Sequence, residues 1–258
     1  MKKFELTTES ITNEAGKKLF RIKALIDFGD VKAGELGGYV EKEGNVSQAD
    51  NAWVSGDAEV YGDARVCGNA WVYGNARVYG NAWVRGNARV CGDAWVRGNA
   101  KVYGNAEVFG NAEVYGDARV RGDAEVYGDA WVYGNAWVYG NARVYGNAWV
   151  RGNARVCGDA WVCGNAWVSG NAWVSGDAEV YDDADYALVQ GFGTEFRCTT
   201  FYRGKNKKIM VNCGCFHGDL EGFRKQVKET RNGKIAKEYL MIADLMEYHF
   251  TSEDSSNE

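Results

Sequence analysis

The chain contains no proline and only two histidines in 258 residues. Without proline there is nothing to interrupt strand ladders, which suits a chain built mostly from them. The two histidines, His217 and His249, are too few for a three-histidine zinc centre. No apolar run approaches the ~20 residues of a membrane span. The opening Met1-Lys2-Lys3-Phe4-Glu5-Leu6 lacks the apolar core of a secretory signal. No segment is strongly basic: residues 1–43 carry eight cations and eight anions, residues 44–187 eleven and seventeen, and residues 188–258 eleven and ten. Seven cysteines without paired spacing fit a reducing compartment better than a disulfide framework. The expectation is a cytoplasmic protein with no membrane partner.

What the chain has in abundance is one short repeat. From Gly56 to Tyr181 there are twenty-one consecutive copies of Gly-[Asn/Asp]-Ala-x-Val-x, without insertion, flanked by looser copies over 44–55 and 182–187. A fixed short period is the mark of a solenoid. In an extended segment Ala and Val, two residues apart, point to one side, and the fourth and sixth positions point to the other. Ala and Val therefore predict the inner lining, the variable positions the outer wall, and Gly-Asn or Gly-Asp the corners. Six residues cannot bury an apolar side alone, so the units must wind and stack.

Val-Tyr-Gly-Asn-Ala-Trp and its siblings resemble the hexapeptide repeat of left-handed parallel β-helices. The resemblance implies three hexads per triangular coil of eighteen residues, hence about eight coils, or roughly 38 Å at ~4.8 Å per layer. The expected fold is an all-β solenoid, a left-handed parallel β-helix over 44–187. A β cap over 1–43 precedes it, an α+β cap over 188–250 follows, and a disordered tail covers 251–258. In the first cap, Lys3–Thr7 and Lys18–Leu25 alternate as strands around a turn at Asn13-Glu14-Ala15-Gly16. In the second, Thr194–Tyr202 and Lys207–Cys213 read as a hairpin about Arg203-Gly204-Lys205-Asn206. Helices are expected over Asp219–Thr230, with Leu220, Phe223 and Val227 on one face, and over Lys234–Phe250, with Ile235, Tyr239, Ile242, Met246 and His249 on one face. They are expected to pack on the hairpin and cover the last coil.

The outer wall holds the candidate functional surface. The fourth position of the twenty-one hexads carries nine Trp, six Arg, five Glu and one Lys, and the sixth carries ten Tyr, four Cys, four Arg, two Ser and Phe109. Trp53 takes the same outward place in a looser repeat. Residues eighteen apart share a side. Sides one and three mix signs. Side two gathers Arg65, Trp83, Arg85, Lys101, Tyr103, Arg119, Arg121, Trp137, Tyr139 and Arg155, with no Glu. Cations interleaved with aromatics suit an anionic partner, whether a protein or a polyanion such as nucleic acid or a nucleic-acid-binding complex. Corner residues Asp117 and Asp123 flank Arg119 and Arg121 and could instead neutralise them. On side one the run Trp131, Trp149, Trp167 is a candidate self-association surface, or a packing ladder.

Many members of the resembled family are acyltransferases that use a repeat-borne histidine and a looped-out segment, and their carbonic-anhydrase relatives bind zinc through histidines. The repeats here carry no histidine, no threonine and no loop. The one chemically suggestive cluster is Cys198, Cys213, Cys215 and His217, a weak N/S metal set; otherwise no cofactor, metal or catalytic residue is expected. The entry Gly37-Gly38-Tyr39-Val40-Glu41-Lys42-Glu43 and the stretch Cys213-Gly214-Cys215-Phe216 resemble uncharacterised bacterial and phage hexapeptide-repeat proteins labelled transferases by fold. Three functions follow as expectations. The first is a non-catalytic binding or scaffold protein, homo-oligomeric and of the kind a phage uses against a host defence or nucleic-acid-targeting system. The second is an acyltransferase-like enzyme with its site at the C-terminal cap or a subunit interface. The third is a self-assembling structural protein.

Overall fold

A computed structural model describes residues 2–193 and 197–251. Its centre is a parallel β-solenoid. Three antiparallel strands come first, β1 (Phe4–Thr12), β2 (Lys18–Ala24) and β3 (Leu36–Val40). Twenty-two short solenoid strands follow, β4 (Trp53–Val54) through β25 (Glu179–Val180). They pair in parallel with an offset of eighteen residues, Trp95 with Arg77 and Glu113, for example. Eighteen residues per coil is therefore the observed winding. Every Ala and Val of the repeats from Ala52 to Val180 is essentially inaccessible to solvent. Each buried Val is worth about 1.5–3 kcal/mol.

The ladder has one direction. A backbone N–H of each coil donates to a carbonyl seventeen residues later, as in Trp71 to Ala88 and Tyr73 to Val90, both 3.0 Å. The first coil therefore offers bare carbonyls and the last bare N–H groups. Donors close the first end: the buried Lys3 ammonium reaches the Asp50 and Ala52 carbonyls at 2.8 and 2.7 Å, and the Asn45 amide those of Gly62 and Ala64. Acceptors close the other: Thr200 Oγ1 takes the Trp173 N–H, and Asp185 Oδ2 takes that of Tyr181.

The corner asparagines repeat this polarity. Asn51 donates to Asn69, Asn69 to Asn87, Asn87 to Asn105 and Asn105 to Asp123. A carboxylate can accept but not pass a proton donor on, so the segment ends at Asp123. Asn87→Asp removes a rung and lowers stability by ~0.5–1 kcal/mol, whereas Asp123→Asn, able to donate onward to Asn141, leaves stability unchanged or raises it. Urea midpoints of the two variants check the asymmetry.

Several expectations change in the caps. β3 pairs with the first side-one strand, so the N-terminal strands extend that sheet to ten strands, while Phe4, Ile22 and Ala24 join the solenoid core at its first end. Trp53 pairs in register with Trp71 but is buried and not exposed, covered edge-on by Phe4 and Phe28. At the other end residues 182–187 leave the repeat in a 3₁₀ turn, Asp183–Asp185, and open an antiparallel sheet. Its strands are β26 (Tyr186–Phe192), β27 (Arg197–Arg203), β28 (Ile209–Cys213) and β29 (Phe216–Asp219). Residues 194–196 of the expected strand and 252–258 of the expected tail lie outside the described residues.

Helices α1 (Leu220–Thr230) and α2 (Gly233–Thr251) do not cover the last coil. They pack on the far face of the sheet through Leu220, Phe223, Val227, Tyr239, Ile242 and Met246. The sheet's near face does the covering, with Tyr202 joining the solenoid core. Phe250, not His249, turns inward at the end of α2; His249 is exposed. No helix among the described residues is long and apolar enough to cross a membrane.

Candidate anion-binding face on the solenoid

The eighteen-residue coil places nine of the ten side-two residues on one seven-stranded sheet together with Trp173, and the tenth, Tyr139, just past its Trp137–Val138 strand. Three strands in its middle run four residues instead of two: Trp83–Gly86, Lys101–Gly104 and Arg119–Gly122. Their ladder therefore continues through the sixth position, setting Tyr103 between Arg85 and Arg121 just as Lys101 lies between Trp83 and Arg119.

The cations of this face are stacked on rings. Arg119 lies 4.8 Å and Arg155 5.8 Å from the Trp137 centroid, while Arg121 spans Trp137 at 5.5 Å and Tyr139 at 4.8 Å. Trp83 lies between Arg65 and Lys101, each 5.7 Å away, and Arg85 covers Tyr103 at 5.1 Å. A cation held over a ring face is attracted by the ring's quadrupole and loses side-chain freedom.

The counter-ions differ from side to side. On sides one and three, Arg77 pairs with Glu14, Arg97 with Glu113, Arg89 with Glu107 and Arg143 with Glu125. Among the described residues, Arg151 alone lacks a carboxylate there, resting by Tyr133 and Trp167. On side two, among the described residues, none of Arg65, Arg85, Lys101, Arg119, Arg121 and Arg155 has a carboxylate within 4.0 Å. The nearby corner acids are engaged elsewhere: Asp117 accepts from Asn99 and Asp123 from Asn105. They do not pair with the arginines they flank. The Arg121 Nε–H is buried without a partner among the described residues.

Trp131, Trp149 and Trp167 form a parallel stack at 4.9 and 4.7 Å, so their ring faces are largely consumed by one another. Cys157 and Cys163 are buried, and Trp173 donates its indole N–H to Cys157 Sγ.

The cysteine–histidine cluster divides between two faces of the cap sheet. Cys213 receives the Thr199 hydroxyl and lies on the helix side, Cys198 reaches toward the Asn171 carbonyl, and Cys215 is exposed. His217 turns to the solenoid instead. Its Nδ1–H donates to Asn212 Oδ1 at 2.6 Å, and the Asn212 amide donates to the Trp173 carbonyl and to Ser175 Oγ. Among the described residues no three His, Cys, Asp or Glu side chains converge as a metal set. His217 Nε2 faces Gly176 in a cleft of about 390 Å³ that Lys205, Lys208 and Asp177 also line. Reading the sequence missed this cleft, because Asn212 and the last coil are distant in sequence and share no local motif.

No curated protein matches the chain. Residues 70–86 and 136–152 match the YdcK β-solenoid repeat. Both windows read Ala-Trp-Val-Tyr-Gly-Asn-Ala-Arg-Val-Tyr-Gly-Asn-Ala-Trp-Val-Arg-Gly. Yet Trp71 stands on side three and its counterpart Trp137 on side two. The same residues serve different sides, so the match speaks to coil geometry and not to which side is used. Over these two windows, the chain is similar to the YdcK β-solenoid repeat.

Proposed function

We propose that this protein is a non-catalytic binding module that docks an anionic macromolecule on side two. One observation carries the reading: among the described residues, the six cations of side two have no carboxylate partner, while four of the five cations on the other two sides are paired. Cations already stacked on rings have lost much of their side-chain freedom before binding, so less is forfeited when an anion arrives. The strand ladder beneath them is rigid, which suits recognition by a preformed surface.

The test is charge reversal on the outer wall. Replacing Arg85, Lys101, Arg119 and Arg121 by Glu reduces affinity for a fluorescent polyglutamate probe about a hundredfold or more at low salt. The paired control, Arg89→Glu with Arg143→Glu on side three, leaves it within a few-fold. Circular dichroism verifies that both variants keep the fold. Equal loss in both, or loss in neither, removes side two as the docking face.

A further inference from the structure

Side two also bears on which kind of anion it takes. Resting on the binding reading above, we infer that the partner is a carboxylate-bearing protein segment and not a single-stranded nucleic acid.

A surface that binds single strands needs open aromatic faces on which bases stack. Side two withholds them. Both faces of Trp83 are taken, by Arg65 and Lys101, and both faces of Trp137, by Arg119 and Arg155. Arg85 covers Tyr103, and Arg121 covers Tyr139. A base can stack on Trp83 or Trp137 only by displacing a cation, an arginine or Lys101, from the ring. What the face offers solvent is a set of exposed and half-buried cations, Arg65, Arg85, Lys101, Arg119, Arg121 and Arg155. Two parallel N–H donors on a flat guanidinium match a carboxylate fork.

The spacing agrees. Lys101 and Arg119 stand on adjacent strands, ~4.8 Å apart in the ladder direction, and Arg119 and Arg121 are two residues along one strand, ~6.7 Å apart. Carboxylates three or four residues apart on a helix stand ~5–6 Å apart, within the same range. From Arg65 to Arg155 the face spans six strands, five ladder steps or ~24 Å, the length of about sixteen helical residues. Its edges carry Asp63, Asp117, Asp123 and Asp159, and the chain as a whole has a net charge of −5. A finite acidic patch can sit between those edges. A duplex or a long strand must run past them.

The experiment compares three labelled probes by anisotropy at one ionic strength: a twenty-residue Glu-rich helical peptide, a twenty-nucleotide oligothymidylate and a twenty-base-pair duplex. The peptide binds at least about tenfold tighter than either nucleic acid. The double variant Arg119→Lys with Arg121→Lys, which keeps the charge but loses the fork, weakens the peptide about tenfold. Oligothymidylate or duplex binding as tightly as the peptide overturns the carboxylate inference while leaving side two a docking face. An unchanged peptide affinity in the lysine variant also overturns it, reducing the contact to point charges. Failure of all three probes to bind overturns the binding reading itself.

Discussion

Gly104→Ala lowers the unfolding free energy about twice as much as Gly16→Ala, although both glycines hold positive φ. Gly104 has φ +78° and Gly16 +72°. An L side chain in that region costs ~1–2 kcal/mol at either position. The surroundings differ. A Cβ on Gly16 meets nothing within 4 Å, whereas one on Gly104 lies 2.9 Å from the Gly122 nitrogen and 3.0 Å from its oxygen, the same corner one coil on. Backbone held on both sides by the strand ladder cannot move aside, so an overpacking cost of ~1–3 kcal/mol is added. The total for Gly104→Ala is about 2–5 kcal/mol and for Gly16→Ala about 1–2 kcal/mol. Equal shifts in urea midpoint would show that the corners relax and that glycine is there for φ alone.

The second large effect is a stability maximum in mild alkali. Lys3 is 2% exposed, and burial lowers its pKa to about 8, with Asp50 opposing the shift. Below pH 8 the ammonium is protonated in the folded and unfolded chain alike, so stability does not change through this group. Between pH 8 and about 10.5 the folded chain has released a proton that the unfolded chain still holds, and stability rises with pH, by at most ~3 kcal/mol.

Acids with raised values act the other way. Burial raises the thiols of Cys67 and Cys163. Tyr61 and Tyr139 rise to about 12, chiefly through burial, and Tyr73 to about 12 through its hydrogen bond with Cys91. From about pH 9 upward the unfolded chain loses these protons first, and stability falls. Urea unfolding from pH 7 to 11 therefore shows a maximum between pH 8 and 10. Lys3→Met removes the rising limb and leaves only the decline. A rise of the same size in the methionine variant would assign it to another group.

The solenoid was legible because its information is local. A period of six sets which residues face inward, and eighteen sets which outward residues are neighbours. The same rule reaches the Arg89–Glu107 and Arg143–Glu125 pairs, each eighteen residues apart. It does not reach Arg77–Glu14, sixty-three residues apart, nor Lys3, which docks on carbonyls nearly fifty residues away. Both depend on how the N-terminal strands join side one, and no periodic pattern encodes that. Strand β26 was missed because Asp182 and Ala187 imitate a worn repeat. The helix faces were legible for Leu220, Phe223 and Val227 but misplaced His249, where a 3.6-residue period near a helix end does not separate it from Phe250. The sequence also left open whether Asp117 and Asp123 neutralise their arginines; only the corner bonds decide that they face other partners.

Eighteen residues per coil also sets how such a chain can grow. Adding or removing a full coil lengthens or shortens every side and keeps each column of side chains aligned. Adding or removing a single hexad instead rotates everything downstream by one third of a turn, splicing the arginines of one face onto the glutamates of another while the interior stays intact. Length is thus a free variable only in steps of eighteen, and a six-residue indel would leave a well-folded protein whose second side is cut in two.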